Sequence, residues 1–300
     1  MGNFDLCLAW NWEHDADFVR LLDNTCAARG LTLLSVSAHN LHEMLPRLQA
    51  GGIGFNVLLD RASEADPAYL PLVEIARNIR ARRLNPRELA DRSYDKALLH
   101  QAFLEDGIPT PQTIILPSHA AQPVLPYLVL IPFNKQFTIK PALGGGGVGV
   151  ITNVPDMEAV QSARAQFPEQ QYLLQEHVSP KFVEGLPAWF RVIYCFGQIH
   201  PCYWDVNTHI YTPLPPGLEE RHGLGSLREL TKRIANICRL DLFSTEIALT
   251  RQDRLVVVDY VNDPIDLRMQ SRALDGVPDP ILQDIASRIA DEIKKRSDGC

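Results

Sequence analysis

Short apolar runs and segments of helical periodicity alternate along the first ninety residues, and this alternation restricts the fold more than any other feature. The apolar runs lie at 4–10, 31–36 and 55–59. Each run is followed by apolar positions at the spacing of one helix face. Strands and helices that alternate in this way form a parallel sheet covered on both faces. We therefore predict a small doubly wound α/β domain over residues 1–90.

The ends of the predicted strands indicate where this first domain meets a ligand. Ligands of open parallel sheets bind beyond the carboxyl ends of the strands. Residues 11–14, which include Trp12 and His14, and residues 60–61 lie at those ends. Packing of the loop aromatic side chains is the alternative interpretation.

Composition excludes several classes of function. The 300-residue chain has 29 Lys and Arg against 36 Asp and Glu, a net charge of −7, whereas nucleic-acid binders carry basic surfaces. The longest apolar stretch, 124–133, is interrupted by two prolines and is about half the length of a membrane span. The six cysteines are scattered without a C-x-x-C pair, as in reduced cytoplasmic proteins. We predict a cytoplasmic protein that binds neither nucleic acid nor membrane.

The order of predicted elements changes after residue 91, where strands and helices no longer alternate regularly. The periodicity predicts helices over 93–105, after Asp156, over 227–239 and near the C-terminus. The predicted strands lie at 112–116, 137–141, 148–151, 172–178, 189–196, 199–204, 243–250 and 255–261. We divide this part into a smaller lobe over residues 91–178 and a C-terminal lobe over residues 179–300.

One loop is rich in glycine and contains Gly144, Gly145, Gly146, Gly147 and Gly149. It matches G-x-G-x-x-G, but a dinucleotide-binding loop opens a helix, whereas this loop opens a predicted strand. No Lys-Ser or Lys-Thr follows, so the loop is not a P-loop. Backbone amides without neighbouring Cβ atoms are able to close over phosphates, which predicts a phosphate-covering flap. A flexible surface turn is the alternative.

Two lysines precede the glycine loop. Lys140 lies on the strand that leads into the loop, and Lys96 lies at the start of a predicted helix. A lysine at a helix start is usually exposed to solvent, so its position alone does not assign a function to Lys96.

Acid and amide side chains end the last predicted strand pair. Asp259 and Asn262 follow an apolar strand, and Glu246 lies on its partner strand. Magnesium prefers hard oxygen ligands, of which the protein supplies one or two and water and phosphates supply the rest. These side chains therefore predict a magnesium site, and an ordinary Asn-Asp-Pro turn is the alternative.

Taken together, five motifs in this order resemble the ATP-grasp superfamily, with a layout closest to glutathione synthetase and the ribosomal-protein glutamate ligase. The resemblance covers roughly residues 85–268. The motifs are Asp95-Lys96 with Gly107-Ile108-Pro109-Thr110-Pro111, Ile139-Lys140-Pro141 with its glycines, Leu174-Gln175-Glu176-His177-Val178, Arg191-Val192-Ile193, and the acid-rich strand pair. Members of the family carry a companion domain before a two-lobed ATP-grasp domain. The resemblance thus implies an α/β (α+β) fold in which the doubly wound domain precedes such a domain.

The resemblance also implies how ATP and magnesium would be bound. The α- and β-phosphates would be neutralised by Lys96 and Lys140, and the triphosphate would be covered by Gly144, Gly145, Gly146 and Gly147. The hinge that reads the adenine would consist of Gln175, Glu176, His177 and Val178. Magnesium would be held by Glu246, Asp259 and Asn262.

The chemistry of the family phosphorylates a carboxylate and lets an amine or a thiol displace the phosphate. By resemblance, Arg191 would stabilise charge on the γ-phosphate or on an acyl phosphate. Arg268 would contact a substrate carboxylate or the transferred phosphate, and a structural pair with Asp266 is the alternative.

Two places depart from the family pattern. Asp259 and Asn262 are three residues apart where the family spaces the pair by two, so a bulge must compensate. Trp189 and Phe190 stand before the motif arginine, where the family commonly has an acid near the ribose. Glu184 would reach the ribose instead.

The leading hypothesis is an ATP- and magnesium-dependent ligase that joins a carboxylate to an amine or a thiol. Its substrates would be small molecules or peptides, and the family allows a homodimer. A polyol-type kinase is the second hypothesis. Its basic pocket is not predicted, because the clustered arginines fit a solvated helix face: Arg77, Arg80, Arg82, Arg83 and Arg87. The third hypothesis is a nucleotide-binding module whose metal ligands have degenerated.

Overall fold

The computed structural model describes residues 2–126 and 137–297 of the chain. The strands are β1 Gly2–Trp10, β2 Leu33–Val36, β3 Ile53–Arg61, β4 Arg82–Leu84, β5 Thr113–Leu116, β6 Phe137–Pro141, β7 Ile151–Val154, β8 Tyr172–Glu176, β9 Phe182–Val183, β10 Leu186–Pro187, β11 Trp189–Cys195, β12 Gln198–Trp204, β13 Tyr211–Pro213, β14 Leu242–Leu249 and β15 Leu255–Asn262. The helices are α1 Ala16–Ala27, α2 Leu41–Gln49, α3 Leu70–Asn78, α4 Arg87–Tyr94, α5 Lys96–Asp106, α6 Met157–Gln166, α7 Leu218–Arg221, α8 Ser226–Cys238 and α9 Asp279–Ser297.

The N-terminal sheet is parallel throughout, with strand order β2-β1-β3-β4. Successive side chains of β1 are buried on opposite faces, because side chains alternate along a strand. Leu6 and Leu8 pack with α1, whereas Cys7 and Ala9 pack with α2 and α3. Both faces of the sheet are therefore covered, and the predicted doubly wound arrangement is confirmed.

Strand β4 is not predicted by the sequence pattern, since it has three residues and two of them are arginines. Arg82 and Arg83 thus lie in a strand, and the prediction that the arginine cluster forms one helix face is wrong. Arg82 pairs with Asp241 at 3.1 Å, and Arg83 pairs with Glu88 at 2.8 Å. These arginines are therefore engaged by carboxylates.

Two antiparallel sheets follow the parallel one. The first has the order β5-β8-β6-β7 and is covered by α6, where Val160 packs in one cluster with Ile139. The second has the order β13-β12-β11-β14-β15 and is covered by α8, where Ile234 packs in one cluster with Val192. The two sheets approach each other where Lys140 of β6 donates to the carbonyl of Val258 of β15, so side chains of both sheets meet there.

Two boundaries differ from the sequence predictions. The helix predicted over 93–105 is interrupted at Asp95, whose carboxylate accepts hydrogen bonds from the backbone of the first turn of α5. The strand predicted at 148–151 begins only at Ile151, because Gly149 has a φ of +74° and turns the chain. The apolar run at 124–133 lies largely outside the described residues.

Helix α9, at the C-terminal end of the chain, packs against the N-terminal sheet. Its buried residues Ile285 and Ile289 belong to the same hydrophobic cluster as Leu6 and Leu8 of β1. Ile193 of β11 lies in this cluster too. One core is thus shared by the N-terminal sheet and the C-terminal sheet. Within residues 2–126 and 137–297, no helix has the length and apolar character needed to cross a membrane.

Candidate functional site

Three charged side chains form a row across the C-terminal sheet. Arg191 of β11 lies opposite Glu246 of β14, and Glu246 lies opposite Asp259 of β15. Directly opposed residues of an antiparallel sheet share one face, so the three side chains project together. The guanidinium of Arg191 pairs with the Glu246 carboxylate at 3.2 Å and also donates to the Ser244 hydroxyl at 3.1 Å. The sheet therefore presents one cation and two carboxylates side by side.

A bulge in β15 brings Asn262 onto the same face. Residues three apart on a regular strand point to opposite faces. Between the pairs Glu246–Asp259 and Ser244–Asn262, however, β15 has one residue more than β14, and the register shifts there. The bulge that the sequence spacing requires is therefore present, and Asn262 lies opposite Ser244 beside the charged row.

Two lysines face this row from the other antiparallel sheet and from α5. Lys140 of β6 is only 6 % exposed and donates to the carbonyl of Val258 at 2.9 Å. Burial lowers the pKa of Lys140 to about 8, although nearby Asp259 partly offsets this effect. Lys96 is the first residue of α5 and donates to the carbonyl of Gly144. Burial lowers the pKa of Lys96 as well, again against the attraction of Asp259.

The two carboxylates of the row have opposite tendencies. Burial raises the pKa of Glu246, although Arg191 acts against this rise. Burial by itself would raise the pKa of Asp259 also, but Lys140, Lys96 and Arg191 together hold it below its usual range. Asp259 is thus the carboxylate that stays ionised most firmly, at the centre of three cations.

Two tryptophans contact the charged row, and sequence reasoning assigned a role to neither. The indole nitrogen of Trp189 donates to Glu246 at 2.9 Å, and the guanidinium of Arg191 lies 4.6 Å from the ring centroid of Trp204. Trp189 stands where the family pattern has an acid, which is the one signal that could have indicated it. No sequence signal indicates Trp204, because its distance from Arg191 depends on how β12 pairs with β11 in the sheet.

The glycine loop joins β6 to β7, which pair antiparallel, as the predicted flap does. Gly146, Gly147 and Gly149 have φ values of +61°, +75° and +74°, which favour glycine. The hydroxyl of Tyr94 lies 3.4 Å from the place where a Cβ of Gly145 would stand. Together with Lys96, which holds the carbonyl of Gly144, these contacts keep the loop close to the start of α5.

The predicted hinge follows the end of β8. The Gln175 side chain is buried and donates to the hydroxyls of Tyr260 and Thr113, both at 2.9 Å, so it faces the interior. Glu176 accepts a hydrogen bond from the backbone of Gln112 at 3.0 Å. His177 is exposed and Val178 is half-buried beyond the strand end, where their backbone groups are not paired in the sheet.

Glu184 and Arg268 lie outside the charged row. Glu184 is exposed in the turn between β9 and β10 and accepts a hydrogen bond from Arg221 at 2.8 Å. Arg268 pairs with Asp266 at 2.6 Å and with Asp275 at 2.7 Å. The pairing with Asp266 that the sequence left as the alternative is thus present. The guanidinium of Arg268 also lies 5.6 Å from the ring centroid of Trp12, so it contacts the loop after β1.

The donor set of the row fits a magnesium ion. Glu246 and Asp259 supply hard oxygen atoms, and Asn262 carries an amide oxygen on the same face. The amide nitrogen of Asn262 is buried and has no hydrogen-bond partner among the described residues. An amide N–H is a donor, so an oxygen of a bound phosphate or water, and not the metal ion, would complete this group.

Comparison with known proteins gives matches in structure alone. No protein-family model matches the chain, and no curated protein matches it in sequence. The fold is similar to an ATP-grasp RimK domain protein from Sphaerobacter thermophilus, with 18% identity, 96% of this chain and 99% of that chain covered, and a TM-score of 0.64. It is also similar to D-cycloserine synthetase DcsG, with 17% identity, 97% and 100% coverage, and a TM-score of 0.62.

A third similar structure is D-alanine–D-alanine ligase from Bacillus anthracis, complexed with ATP. The identity is 13%, the match covers 99% of this chain and 100% of that chain, and the TM-score is 0.63. Each match spans nearly the full length of both chains. The parallel sheet and the two antiparallel sheets are thus arranged as in these proteins, and the chain has the ATP-grasp fold.

Proposed function

We propose that this chain is an ATP- and magnesium-dependent ligase that joins a carboxylate to an amine or a thiol. One observation carries the proposal: Lys96, Lys140 and Arg191 converge on the Glu246–Asp259 pair beside the glycine loop. With three cations and two carboxylates, the cluster has a net positive charge, which suits a polyanion such as a triphosphate. Buried cations that face developing negative charge stabilise phosphoryl transfer.

In the proposed reaction, a substrate carboxylate oxygen attacks the γ-phosphorus of ATP, and the bond from that phosphorus to the β,γ-bridging oxygen breaks. ADP leaves and an acyl phosphate forms. The amine or thiol then attacks the acyl carbon and loses its proton, and the carbon–oxygen bond to phosphate breaks. Arg191 would neutralise the charge on the transferred phosphoryl group in both steps.

The other contacts of ATP follow from the placement of the side chains. Lys140 and Lys96 would bind the α- and β-phosphates, and the glycine loop would cover them with backbone amides. The backbone that follows β8, at His177 and Val178, would read the adenine, and Glu184 would reach the ribose. Arg268 would meet the substrate at the loop after β1.

Magnesium would be held by Glu246, Asp259 and Asn262, with phosphates and water as the remaining ligands. When bound, the ion would neutralise charge on the phosphate oxygens. The chain holds these side chains in place for the ion: Arg191 and Trp189 both hydrogen-bond to Glu246, and the bulge in β15 keeps Asn262 beside Asp259.

The two other hypotheses receive less support. A polyol-type kinase needs free basic groups for a highly phosphorylated substrate, whereas Arg82 and Arg83 are paired with carboxylates. A degenerate nucleotide-binding module needs a broken metal site, whereas the bulge in β15 keeps Asn262 on the face of Asp259.

The proposal also covers the domain division, the location, the oligomeric state and the substrate class of the protein. We retain the division into residues 1–90, 91–178 and 179–300, a cytoplasmic location and a homodimer. Substrates of the small-molecule and peptide classes are supported by similar structures, among them D-cycloserine synthetase DcsG and the ligase PsnB complexed with a precursor peptide. Buried free thiols at five of the cysteines agree with a reducing compartment: Cys7, Cys26, Cys195, Cys202 and Cys238.

Replacement of Lys140 tests the phosphate role. Lys140→Met should lower kcat/KM for ATP by about 100-fold or more, because a buried cation facing the phosphates is lost. ADP release would be measured with pools of carboxylates, amino acids and thiols. Lys181→Met is the matched control, since Lys181 pairs with exposed Asp253 at the surface. Equal rates for the two variants would contradict the assignment.

Calorimetry tests the metal role independently of turnover. ATP binding by the wild type should require magnesium, and this requirement should be lost together with tight binding in Asp259→Ala. The control is Asp253→Ala, which removes an exposed carboxylate and should bind like the wild type. ATP binding that is indifferent to magnesium and to both substitutions would favour the nucleotide-binding module.

A further inference from the structure

Two of the four tryptophans lie against the Arg191–Glu246 pair. Trp189 stands two residues before Arg191 on β11, so both side chains share one face of the sheet. Trp204 ends the neighbouring strand β12. Their contacts with the pair differ in kind, because one donates a hydrogen bond and the other offers an aromatic face.

Trp189 supplies one of two hydrogen bonds to the Glu246 carboxylate. Its indole nitrogen donates to Oε2 at 2.9 Å, while Arg191 donates to Oε1 at 3.2 Å. Each carboxylate oxygen thus has one donor, and each keeps a further lone pair. The Glu246 side chain is 13% exposed, so no layer of bulk water competes for these positions. The orientation of the carboxylate therefore depends on both donors.

Trp204 supports the guanidinium of Arg191. The Cζ atom of Arg191 lies 4.6 Å from the indole centroid, within the range of a cation–π contact. The indole itself is held by two aromatic partners: His209 stacks on it at 5.4 Å with an interplanar angle of 1°, and Tyr211 meets it edge-on at 4.7 Å. Because these two contacts hold the Trp204 indole in place, the indole limits the positions that the Arg191 guanidinium can take.

We propose that Trp189 and Trp204 are positioning residues, which orient Glu246 toward the bound metal and Arg191 toward the transferred phosphoryl group. This inference rests on the proposed function. Residues that hydrogen-bond to metal ligands orient them, and their removal commonly costs about 10–100-fold in metal affinity or activity. Trp189 is half-buried and also packs against the hydrophobic cluster that contains Leu8, so its test must separate the orientation of Glu246 from packing.

Trp189→Phe tests the first role, because it removes the donor and keeps an aromatic ring. We expect the magnesium concentration for half-maximal ATP turnover to rise about 10-fold. The matched control is Trp10→Phe, since the Trp10 indole also donates a bond of 2.9 Å, to the hydroxyl of Ser35. This control should keep the magnesium requirement of the wild type.

A binding measurement separates positioning from packing without any turnover. Manganese titrated into the ATP-bound protein by calorimetry should bind about 10-fold more weakly to Trp189→Phe than to Trp10→Phe. In a Glu246→Ala background, which has no side-chain acceptor for the indole, Trp189→Phe should add no further loss, because it acts through that carboxylate. An additive loss would indicate a packing role and would overturn the inference.

Graded substitutions test Trp204. Trp204→Phe keeps an aromatic face and should keep most of the turnover, whereas Trp204→Leu should lower kcat about 10-fold with little change in KM for ATP. Equal kcat values for the two variants would overturn this role. If the wild type bound no nucleotide, the proposed function would fail, whereas wild-type binding with unaltered metal affinity in Trp189→Phe would defeat this inference alone.

Discussion

Among the glycines of the loop after β6, Gly149 has the least freedom to change. Its φ of +74° is unfavourable for a residue with a Cβ atom. A Cβ there would also lie 2.8 Å from the ring of Phe167 and 3.2 Å from Pro141. Gly146 has a comparable φ of +61°, but a Cβ at that position would meet no atom of the described residues within 4 Å. Substitution of Gly146 therefore tests backbone strain alone, whereas substitution of Gly149 tests backbone strain and steric contact together.

We predict that Gly149→Ala lowers the free energy of unfolding by about 2–4 kcal/mol, from backbone strain and overpacking together. Gly146→Ala should cost only about 1 kcal/mol, because only the backbone contribution applies. Urea unfolding of the two variants measures the difference. Equal losses would show that the contacts of Gly149 do not restrict the loop.

At the scale of elements, one buried network connects α5, β8 and β15 behind the charged row. Gln175 of β8 donates to the hydroxyl of Tyr260 on β15 at 2.9 Å. Nδ1 of His100 on α5 lies 2.6 Å from the same hydroxyl, and which of the two groups donates depends on the tautomer of His100. The network surrounds Tyr260, the residue that follows Asp259 in the bulged strand.

The network predicts a loss of stability in acid. Burial and then Lys140 lower the pKa of His100 from 6.5 to about 4. Between these values His100 binds more protons in the unfolded chain than in the folded one, so its contribution lowers the free energy of unfolding as the pH falls from 6.5 toward 4, by up to about 3 kcal/mol. Urea unfolding across this range should give a flatter profile for His100→Asn, which keeps an acceptor that does not titrate. Profiles of equal slope would contradict the neutral histidine.

Across the whole molecule, the shared core indicates that the parts of the chain unfold together. Ile289 of α9 is fully buried in the cluster that contains Leu8 of β1 and Ile193 of β11. Loss of its side chain would leave a cavity between the N-terminal sheet and the C-terminal sheet. The three-part division of the sequence therefore does not require three separate unfolding transitions.

Ile289→Ala should lower the free energy of unfolding by about 2–5 kcal/mol and keep a single transition. Tryptophan fluorescence and far-ultraviolet circular dichroism would be followed in the same urea titration, and their midpoints should shift together. Exposed Leu274→Ala is the matched control and should leave the midpoint nearly unchanged. Separate midpoints for the two probes would show that the N-terminal sheet unfolds independently.

The sequence by itself determined the doubly wound first sheet, the order of the motifs and the chemical types of the site residues. These follow from hydrophobic periodicity and from neighbours a few residues apart, which are local properties. The same information predicted that a bulge had to lie between Asp259 and Asn262. It did not predict β4, whose three residues carry too little periodicity.

Only the tertiary structure decided which side chains meet. The row of Arg191, Glu246 and Asp259 depends on strand register, and the contacts of Trp189 and Trp204 depend on which face each strand presents. Such contacts join residues that lie far apart in the chain, for example 57 positions between Trp189 and Glu246. A one-residue change of register would turn these side chains to the opposite face. The residues next to each side chain in the sequence do not determine that register.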